Sequence, residues 1–185
     1  QLMQLQNFNL FPTEIYSFKF SLQEIQPLLD EILLKEKKIK EVSKYFNKTG
    51  GVNNYHTDYA NPVKLHEYEK LMIMLSNFFT NKNKTFNVVN YWTAFYKDTS
   101  YHEAHTHQNS LENNLNNYSS VLYLTDNGGT KFFSSNYTSI QKNELVKSEV
   151  GRIIFFPSNL LHSGINNQNG ERIIISSNIG MYACD

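Results

Sequence analysis

The amino-acid sequence predicts a mainly β domain with two helices in its N-terminal half. Two stretches within the first 84 residues repeat apolar side chains every three or four positions, as amphipathic helices do. From about residue 85, short runs rich in Val, Ile, Phe and Tyr alternate with turn residues, a pattern typical of a β-sandwich or barrel. We expect the 185 residues to form a single domain over 1–185, with a helical lead over about 1–84 and a β-core over about 85–182.

The two helices are predicted over 22–45 and 63–81. The apolar face of the first contains Leu22, Ile25, Leu28, Leu29, Ile32 and Leu33. The apolar face of the second contains Leu65, Tyr68, Leu71, Met72, Leu75 and Phe79. Both sets follow the helical repeat and are expected to pack on the β-core.

The strands are predicted in the runs between turn signals. They are 86–96, 119–125, 130–133, 152–156 and 172–178. The intervening turns include Asp126-Asn127-Gly128-Gly129, Pro157-Ser158-Asn159 and the segment 166–170. Residues of these types punctuate strands because they adopt turn conformations readily.

Composition excludes several classes of protein. Lys+Arg and Asp+Glu are both 17, so the net charge is zero and no basic surface for nucleic acid is expected. The single cysteine, Cys184, excludes a disulfide framework and a cysteine-based zinc site. No apolar run approaches a membrane span of about 18 residues, and no signal peptide is visible. These features predict a soluble protein of a reducing compartment, the cytoplasm.

The histidines indicate a metal site. The six are His56, His66, His102, His105, His107 and His162. Residues i and i+2 of a strand share a face, so His105 and His107 are expected to converge, with His162 as a third ligand from another strand. A His-x-His pair is also common on protein surfaces, and His56 and His66 belong to no such group.

Arginine is scarce, since 15 of the 17 basic residues are lysine. Arg172 follows His162 by ten residues and opens the last predicted strand. In a barrel it would face the same cavity, where its planar guanidinium can bind a carboxylate through two hydrogen bonds. Arg152 has no role that the sequence assigns.

Five motifs occur in one order over 87–178. They are His105-Thr106-His107, the run 119–124 with Tyr123, Gly128-Gly129, Phe155-Phe156-Pro157 followed by His162, and Arg172. This region resembles the double-stranded β-helix core (a jelly roll, cupin-like) of Fe(II)/2-oxoglutarate-dependent oxygenases, in the small bacterial and phage branch related to prolyl hydroxylases. The segment 10–13 with its following helix is similar to the N-terminal lead of that branch.

The resemblance implies a dioxygenase that couples decarboxylation of 2-oxoglutarate to hydroxylation of a substrate, with Fe(II) as the metal. Its metal ligands would be His105, His107 and His162. Its cosubstrate-binding residues would be Arg172, which pairs with the far carboxylate, Tyr123, which donates its hydroxyl to that carboxylate, and Ser176, a third donor. Partners would be 2-oxoglutarate, dioxygen and an unidentified substrate, a peptidyl proline or a small metabolite, without nucleic acid or membrane. A phage-encoded member of this branch would act in the host cytoplasm.

Three features depart from the family pattern. His107 stands where the usual ligand is a carboxylate, so a bound metal would keep one more positive charge. Ile174 replaces a hydroxyl-bearing residue two positions after Arg172. The Asn-rich stretch Leu111–Asn117 is expected to be an inserted, exposed loop near the cavity mouth, which Trp92, Phe95 and Tyr101 could line.

The sequence is compatible with two other interpretations. With Glu112 as an additional ligand, the histidines also match the two motifs of classical cupins, which include thiol dioxygenases and sugar isomerases and need no 2-oxoglutarate. Glu103, which neighbours the His pair and shares its face in a regular strand, is a weaker candidate acid. The third reading is a non-enzymatic β-domain that binds a metal or a carbohydrate.

Overall fold

The computed structural model describes residues 6–10, 13–46, 55–97, 100–107, 117–134, 143–165 and 170–184. In these ranges the chain forms two helices, α1 (Leu22–Val42) and α2 (His66–Thr80). The strands of the N-terminal half are β1 (Gln6–Leu10), β2 (Thr13–Lys19), β3 (Lys44–Phe46), β4 (Tyr55–Thr57) and β5 (Lys84–Tyr96). Those of the C-terminal half are β6 (His102–His105), β7 (Tyr118–Tyr123), β8 (Gly129–Phe133), β9 (Asn143–Lys147), β10 (Arg152–Pro157), β11 (His162–Ile165) and β12 (Arg172–Ala183).

The strands form two antiparallel sheets. The large sheet has the order β1-β2-β10-β7-β12-β5-β4-β3, and the small sheet has the order β6-β11-β8-β9. The mainly β class with N-terminal helices is therefore confirmed. The first 84 residues are not purely helical, however, because β2 pairs with β10 and β4 pairs with β5, which extends the large sheet on both sides.

The two helices begin at different kinds of cap. At α1, the Ser21 side chain accepts from the Glu24 backbone N–H, and the Glu24 carboxylate accepts from the Ser21 N–H, which is a capping box. Helix α2 has no cap from its own N-cap residue, Leu65. Instead the Glu31 carboxylate of α1 accepts from the backbone N–H groups of His66 and Glu67, at 2.9 and 2.8 Å.

Strand β12 lies between β5 and β7, and its two faces have different surroundings. On the outer face, Ile175 and Ile179 are fully buried in a core that includes residues of both helices. On the inner face, Ile174 joins a second core that includes Phe132 of the small sheet. Because side chains alternate along a strand, Arg172, Ser176 and Asn178 share the inner face with Ile174.

The structure differs from the sequence prediction mainly in short or polar strands. All five predicted strands are present, with bounds that differ from the prediction by at most five residues. The sequence does not predict the other seven strands, which are β1 to β4, β6, β9 and β11, because they lack a long apolar run. No helix among the described residues is long and apolar enough to cross a membrane.

Candidate metal centre

Three of the predicted histidines meet at the inner face. His105 ends β6, His162 begins β11, and the two are paired across the small sheet. His107 lies two residues beyond β6, where its backbone N–H donates to the Ser158 carbonyl at 2.9 Å. One nitrogen from each ring lies within 4.8 Å of the other two. Such a cluster of imidazoles is a donor set that suits Fe(II), Zn(II) or Cu(II).

The local strand geometry is irregular, so the rule that predicts a shared face fails for part of this segment. His162 pairs with His105 and Gly164 pairs with His102. The chain therefore moves three positions along β6 for two positions along β11, and the extra residue in β6 is a β-bulge. The bulge turns His102 to the same side as His105, and their rings stack with centroids 4.2 Å apart. Glu103 is exposed instead.

Hydrogen bonds at Nδ1 determine which ring nitrogen can bind a metal. His105 Nδ1 lies 2.7 Å from the Glu103 carbonyl, and His162 Nδ1 lies 2.9 Å from the Leu160 carbonyl. A carbonyl can only accept, so both Nδ1 atoms carry the proton and both Nε2 atoms carry a lone pair. His107 Nδ1 lies 3.2 Å from Asn178 Oδ1. Partners of this kind orient metal-binding histidines in known centres.

The spacing of the rings also matches a metal site. His105 Nε2 and His107 Nε2 are 3.0 Å apart. Two ligands at right angles, each about 2.1 Å from one ion, are separated by about 3.0 Å. The residues present therefore fit a divalent metal ion.

Burial keeps these rings in the neutral form that binds metals. Burial, with the neighbouring histidine charges, lowers the pKa of His162 to about 2. Burial and the charge of His105 lower the pKa of His107 to about 4. Burial lowers the pKa of His105 as well, although the hydrogen bond to the Glu103 carbonyl opposes the shift. All three imidazoles are thus neutral near pH 7.

Arg172 is a buried cation in the same cavity. Its side chain is 1% exposed, and Nη1 donates to the carbonyls of Ile165 and Gly129, at 2.6 and 3.3 Å. Its Nε and Nη2 have no hydrogen-bond partner among the described residues. Burial lowers the pKa of Arg172, but the guanidinium stays charged near neutral pH. A buried charge with free donors is costly unless an anion pairs with it, so this position suits a carboxylate ligand.

Two glycines make room for the guanidinium. A Cβ on Gly164 would lie 2.6 Å from Arg172 Nη2, and one on Gly128 would lie 3.0 Å from Nη1. Gly128 also has a φ of 81°, a conformation that other residues rarely adopt. The Gly-Gly turn that the sequence singled out thus lies against the predicted carboxylate anchor.

The other predicted cosubstrate residues line this inner cavity, which measures about 40 Å³. Tyr123 and Ser176 are both among its lining residues, as is Ile174. The Tyr123 hydroxyl donates to Thr130 Oγ1 at 2.7 Å, and burial raises the Tyr123 pKa to about 12. Thr130 is then left with its own hydroxyl proton to offer to a ligand.

A wider cleft of about 290 Å³ adjoins the inner cavity, and His102, His105 and His107 line both spaces. Trp92 lines both spaces, and its ring lies 5.7 Å from the His107 ring and 4.8 Å from the Tyr59 ring, measured between centroids. Phe95 belongs to the helix-side core instead, and Tyr101 is half-buried outside the cleft lining. Of the predicted loop Leu111–Asn117, only Asn117 lies within the described residues.

Other sequence candidates lie away from this centre or outside the described residues. Arg152 forms an ion pair with Glu149 and donates to the Lys147 carbonyl, so it serves the turn before β10. His66 is exposed and His56 is partly buried, and neither belongs to the metal-binding group. Glu112, which the cupin reading requires, lies outside the described residues.

Sequence reasoning missed four residues of the site. Thr130 and Asn178 lie in predicted strands. Side chains alternate between the two faces of a strand, so the even spacing from Arg172 to Asn178 could have identified Asn178 as an inner-face residue. Tyr96 lies under the Arg172 guanidinium, with 4.1 Å between the Cζ atom and the ring centroid. His102 was missed because strand parity points it away from His105, and only the bulge reverses that.

Comparison with known proteins identifies the fold. No protein-family model and no curated protein matches the chain. Among solved structures, a Pseudomonas putida prolyl-4-hydroxylase shares 13% identity and a TM-score of 0.63, over 96% of this chain and 92% of that one. The α-ketoglutarate-dependent carbocyclase SnoK of nogalamycin biosynthesis shares 13% identity and a TM-score of 0.67, over 89% and 78%. A viral collagen prolyl hydroxylase from Paramecium bursaria Chlorella virus-1 shares 17% identity and a TM-score of 0.57, over 95% and 94%.

These likenesses confirm the fold that the sequence resemblance implied. The chain has the double-stranded β-helix fold of Fe(II)/2-oxoglutarate oxygenases. At these identities the comparison establishes the fold alone. The same fold hosts different chemistries, so the residues of the site define the reaction.

Proposed function

We propose that this protein is an Fe(II)- and 2-oxoglutarate-dependent dioxygenase that hydroxylates an uncharged substrate. One observation carries the proposal: three neutral imidazoles converge in the same cavity as a buried guanidinium with unpaired donors. The first group suits a divalent metal, and the second suits the far carboxylate of a small diacid.

His105, His107 and His162 would hold Fe(II), which supplies dioxygen activation driven by decarboxylation of 2-oxoglutarate. Arg172 would bind the far carboxylate of the cosubstrate through Nε and Nη2, its two free donor groups. Thr130 would donate its hydroxyl to that carboxylate while it accepts from Tyr123. Ser176, which lies on β12 with Arg172, would add a further donor. The apolar side chains of Ile174 and Val121, which line the inner cavity, would exclude water.

The wider cleft suggests the class of the prime substrate. Its described lining contains aromatic rings, hydroxyls and the histidines, but no aspartate, glutamate, lysine or arginine. A charged group would lose hydration there without gaining a partner, whereas an aliphatic ring can pack on Trp92 and Tyr59. This favours a peptidyl proline or a neutral metabolite.

The decisive experiment is an anaerobic titration of the purified protein with Fe(II) and 2-oxoglutarate. We expect the visible metal-to-ligand charge-transfer band of the chelate, and a weaker band at equal 2-oxoglutarate concentration for Arg172→Ala. Arg152→Ala is the matched control, because it removes the other arginine from a surface ion pair. Iron uptake without this band would overturn the proposal and favour a cupin that needs no 2-oxoglutarate.

A second measurement separates an enzyme from a binding module. In air, the iron-loaded protein should form succinate from 2-oxoglutarate, slowly alone and faster with peptides that contain proline or with neutral cyclic metabolites. A protein that binds iron and 2-oxoglutarate but forms no succinate with any of them would be the non-enzymatic β-domain.

A further inference from the structure

The three histidines of the centre differ in what fixes their tautomer. His105 and His162 donate Nδ1–H to backbone carbonyls, which accept in every circumstance. His107 faces the side-chain amide of Asn178, which can present either an acceptor oxygen or a donor NH₂. Only His107 therefore has two available tautomers.

The partner of Asn178 is also an amide. Asn178 is 7% exposed and donates through Nδ2 to Asn90 Oδ1 at 2.8 Å, and the two residues are paired across β12 and β5. Asn90 is exposed, so water can satisfy its amide in either orientation. The two amides can therefore reverse together without losing their mutual hydrogen bond.

Each orientation assigns a different proton to His107. With the Asn178 oxygen toward the ring, Nδ1 is protonated and Nε2 has a lone pair that can bind a metal. With the Asn178 NH₂ toward the ring, Nδ1 accepts and Nε2 is protonated. Nε2–H would then donate to His105 Nε2, which lies 3.0 Å away.

The structure has the first orientation, with the Asn178 oxygen toward His107 and the Asn178 NH₂ toward Asn90. Without a metal, the first arrangement places two lone pairs 3.0 Å apart, whereas the second joins them by a hydrogen bond. With a metal, only the first arrangement offers all three Nε2 atoms as ligands. We infer that the Asn90–Asn178 pair selects the tautomer of His107 and reverses its orientation when a metal binds. Because the metal-free protein favours the tautomer that cannot bind, the apparent metal affinity is reduced. Asn178 acts through His107 and is a positioning residue.

The first test reads the tautomer directly, in nitrogen chemical shifts of the histidine rings, with His107→Gln to assign the signals. In metal-free protein we expect His107 to carry its proton mainly on Nε2, and addition of Zn(II), a redox-silent probe, should move it to Nδ1. A metal-free His107 that is already fully Nδ1-protonated would overturn the inference.

The second test locks the amide pair from its exposed end. Asn90→Asp provides only acceptors, so the Asn178 NH₂ must face it and the Asn178 oxygen must face His107. If the competent arrangement is a minor one, Zn(II) affinity should rise about threefold to tenfold. Asn87→Asp, which adds the same charge at another exposed position of β5, is the control for simple electrostatics. Equal affinities of the two variants would overturn the inference.

The inference rests on the proposed metal centre, but its failure is distinguishable from failure of that centre. If wild-type protein takes up neither Zn(II) nor Fe(II), the proposed function fails. The tautomer of metal-free His107 can still be compared between wild type and Asn90→Asp. Enrichment of the Nδ1–H form in the variant would support the selector, and identical spectra of His107 would refute it.

Discussion

The two faces of the large sheet are built from the same strands but perform different tasks. On the outer face, aromatic and aliphatic side chains pack against both helices without a charged group among the buried residues of that core. On the inner face, the same strands present a guanidinium, hydroxyls, an amide and the wall of a histidine cluster. Both faces bury apolar side chains, but only the inner face also buries a charged group whose hydrogen-bond donors lack partners among the described residues.

This difference implies that stability and binding are separable here. The outer core supplies much of the hydrophobic free energy of folding, so the inner face can hold donors and lone pairs that only a ligand would satisfy. Substitutions in the outer core should change the free energy of unfolding and leave binding intact, and substitutions of the polar residues on the inner face should do the reverse. This division of tasks between the two faces can be tested by substitution.

Phe79→Ala should destabilise the protein by about 3–5 kcal/mol, because it removes a buried ring and leaves a cavity. Phe79 contacts the rings of Tyr16, Phe18, Phe86 and Phe155 in the outer core. Chemical denaturation measures the loss. Ile73→Ala on the same helix is the control, since Ile73 is 63% exposed and should change stability by less than about 0.5 kcal/mol. A loss of metal affinity in folded Phe79→Ala protein would contradict the division.

His162→Gln should lower the affinity for Fe(II) or Zn(II) by at least about 100-fold, because it removes one of three ligands. Competition with a coloured chelator measures the change. His66→Gln, an exposed histidine of α2, should bind like wild type. Unchanged affinity in His162→Gln would mean that the three rings are not the metal site.

Arg172→Lys should lower the affinity for 2-oxoglutarate by about 10- to 100-fold, since an ammonium cannot reproduce the paired donors of a guanidinium. The shift of the melting temperature on adding 2-oxoglutarate to the metal-loaded protein provides the measurement, and the variant should lose most of it. Arg152→Lys should retain the full shift. Without 2-oxoglutarate, wild type, Arg172→Lys and Arg152→Lys should bind the metal with equal affinity. A lower metal affinity in either variant would indicate that the substitution disrupts packing.

Glu31→Gln should destabilise the protein by about 1 kcal/mol at pH 7, through the cap of α2. Burial raises the pKa of Glu31, but hydrogen bonds from Lys35 and from the N–H groups of Glu67 and His66 outweigh it and leave the pKa below its usual value. A lowered folded-state pKa means that this stabilisation is complete above the unfolded-state pKa and disappears as pH falls through the folded-state pKa.

Denaturation curves of wild type and Glu31→Gln should therefore differ at pH 7 and converge as the pH falls through the folded-state pKa of Glu31. Glu41→Gln lies on the same helix, where Glu41 is 62% exposed and 3.9 Å from Lys37, and it should show no such gap. A gap that is independent of pH would mean that the Glu31 charge is not what caps α2.

The sequence was informative where a physical pattern is local. Helical periodicity located both helices within three residues of their ends, although it did not reveal that Glu31 caps α2 from another helix. The order of motifs selected His105, His107, His162 and Arg172 as one site. Their side chains line one cavity of the structure, because each residue lies at the end of a strand or just beyond it, and their roles stay predictions. Strand parity failed at His102, where pairing with β11 introduces a bulge.

What the sequence determined by itself was the class of fold and the types of side chain at the centre: three imidazoles, with His107 at the usual carboxylate position, and one of the two arginines of the chain. Tertiary structure alone decided which ring nitrogens face one another and that Arg172 keeps donors without partners among the described residues. It also decided that Asn178 of β12 contacts His107 and is itself bonded to Asn90 of β5. The reason is physical: residue types and periodicity are local properties of the chain, whereas tautomers and unpaired donors depend on atoms brought together across distant segments.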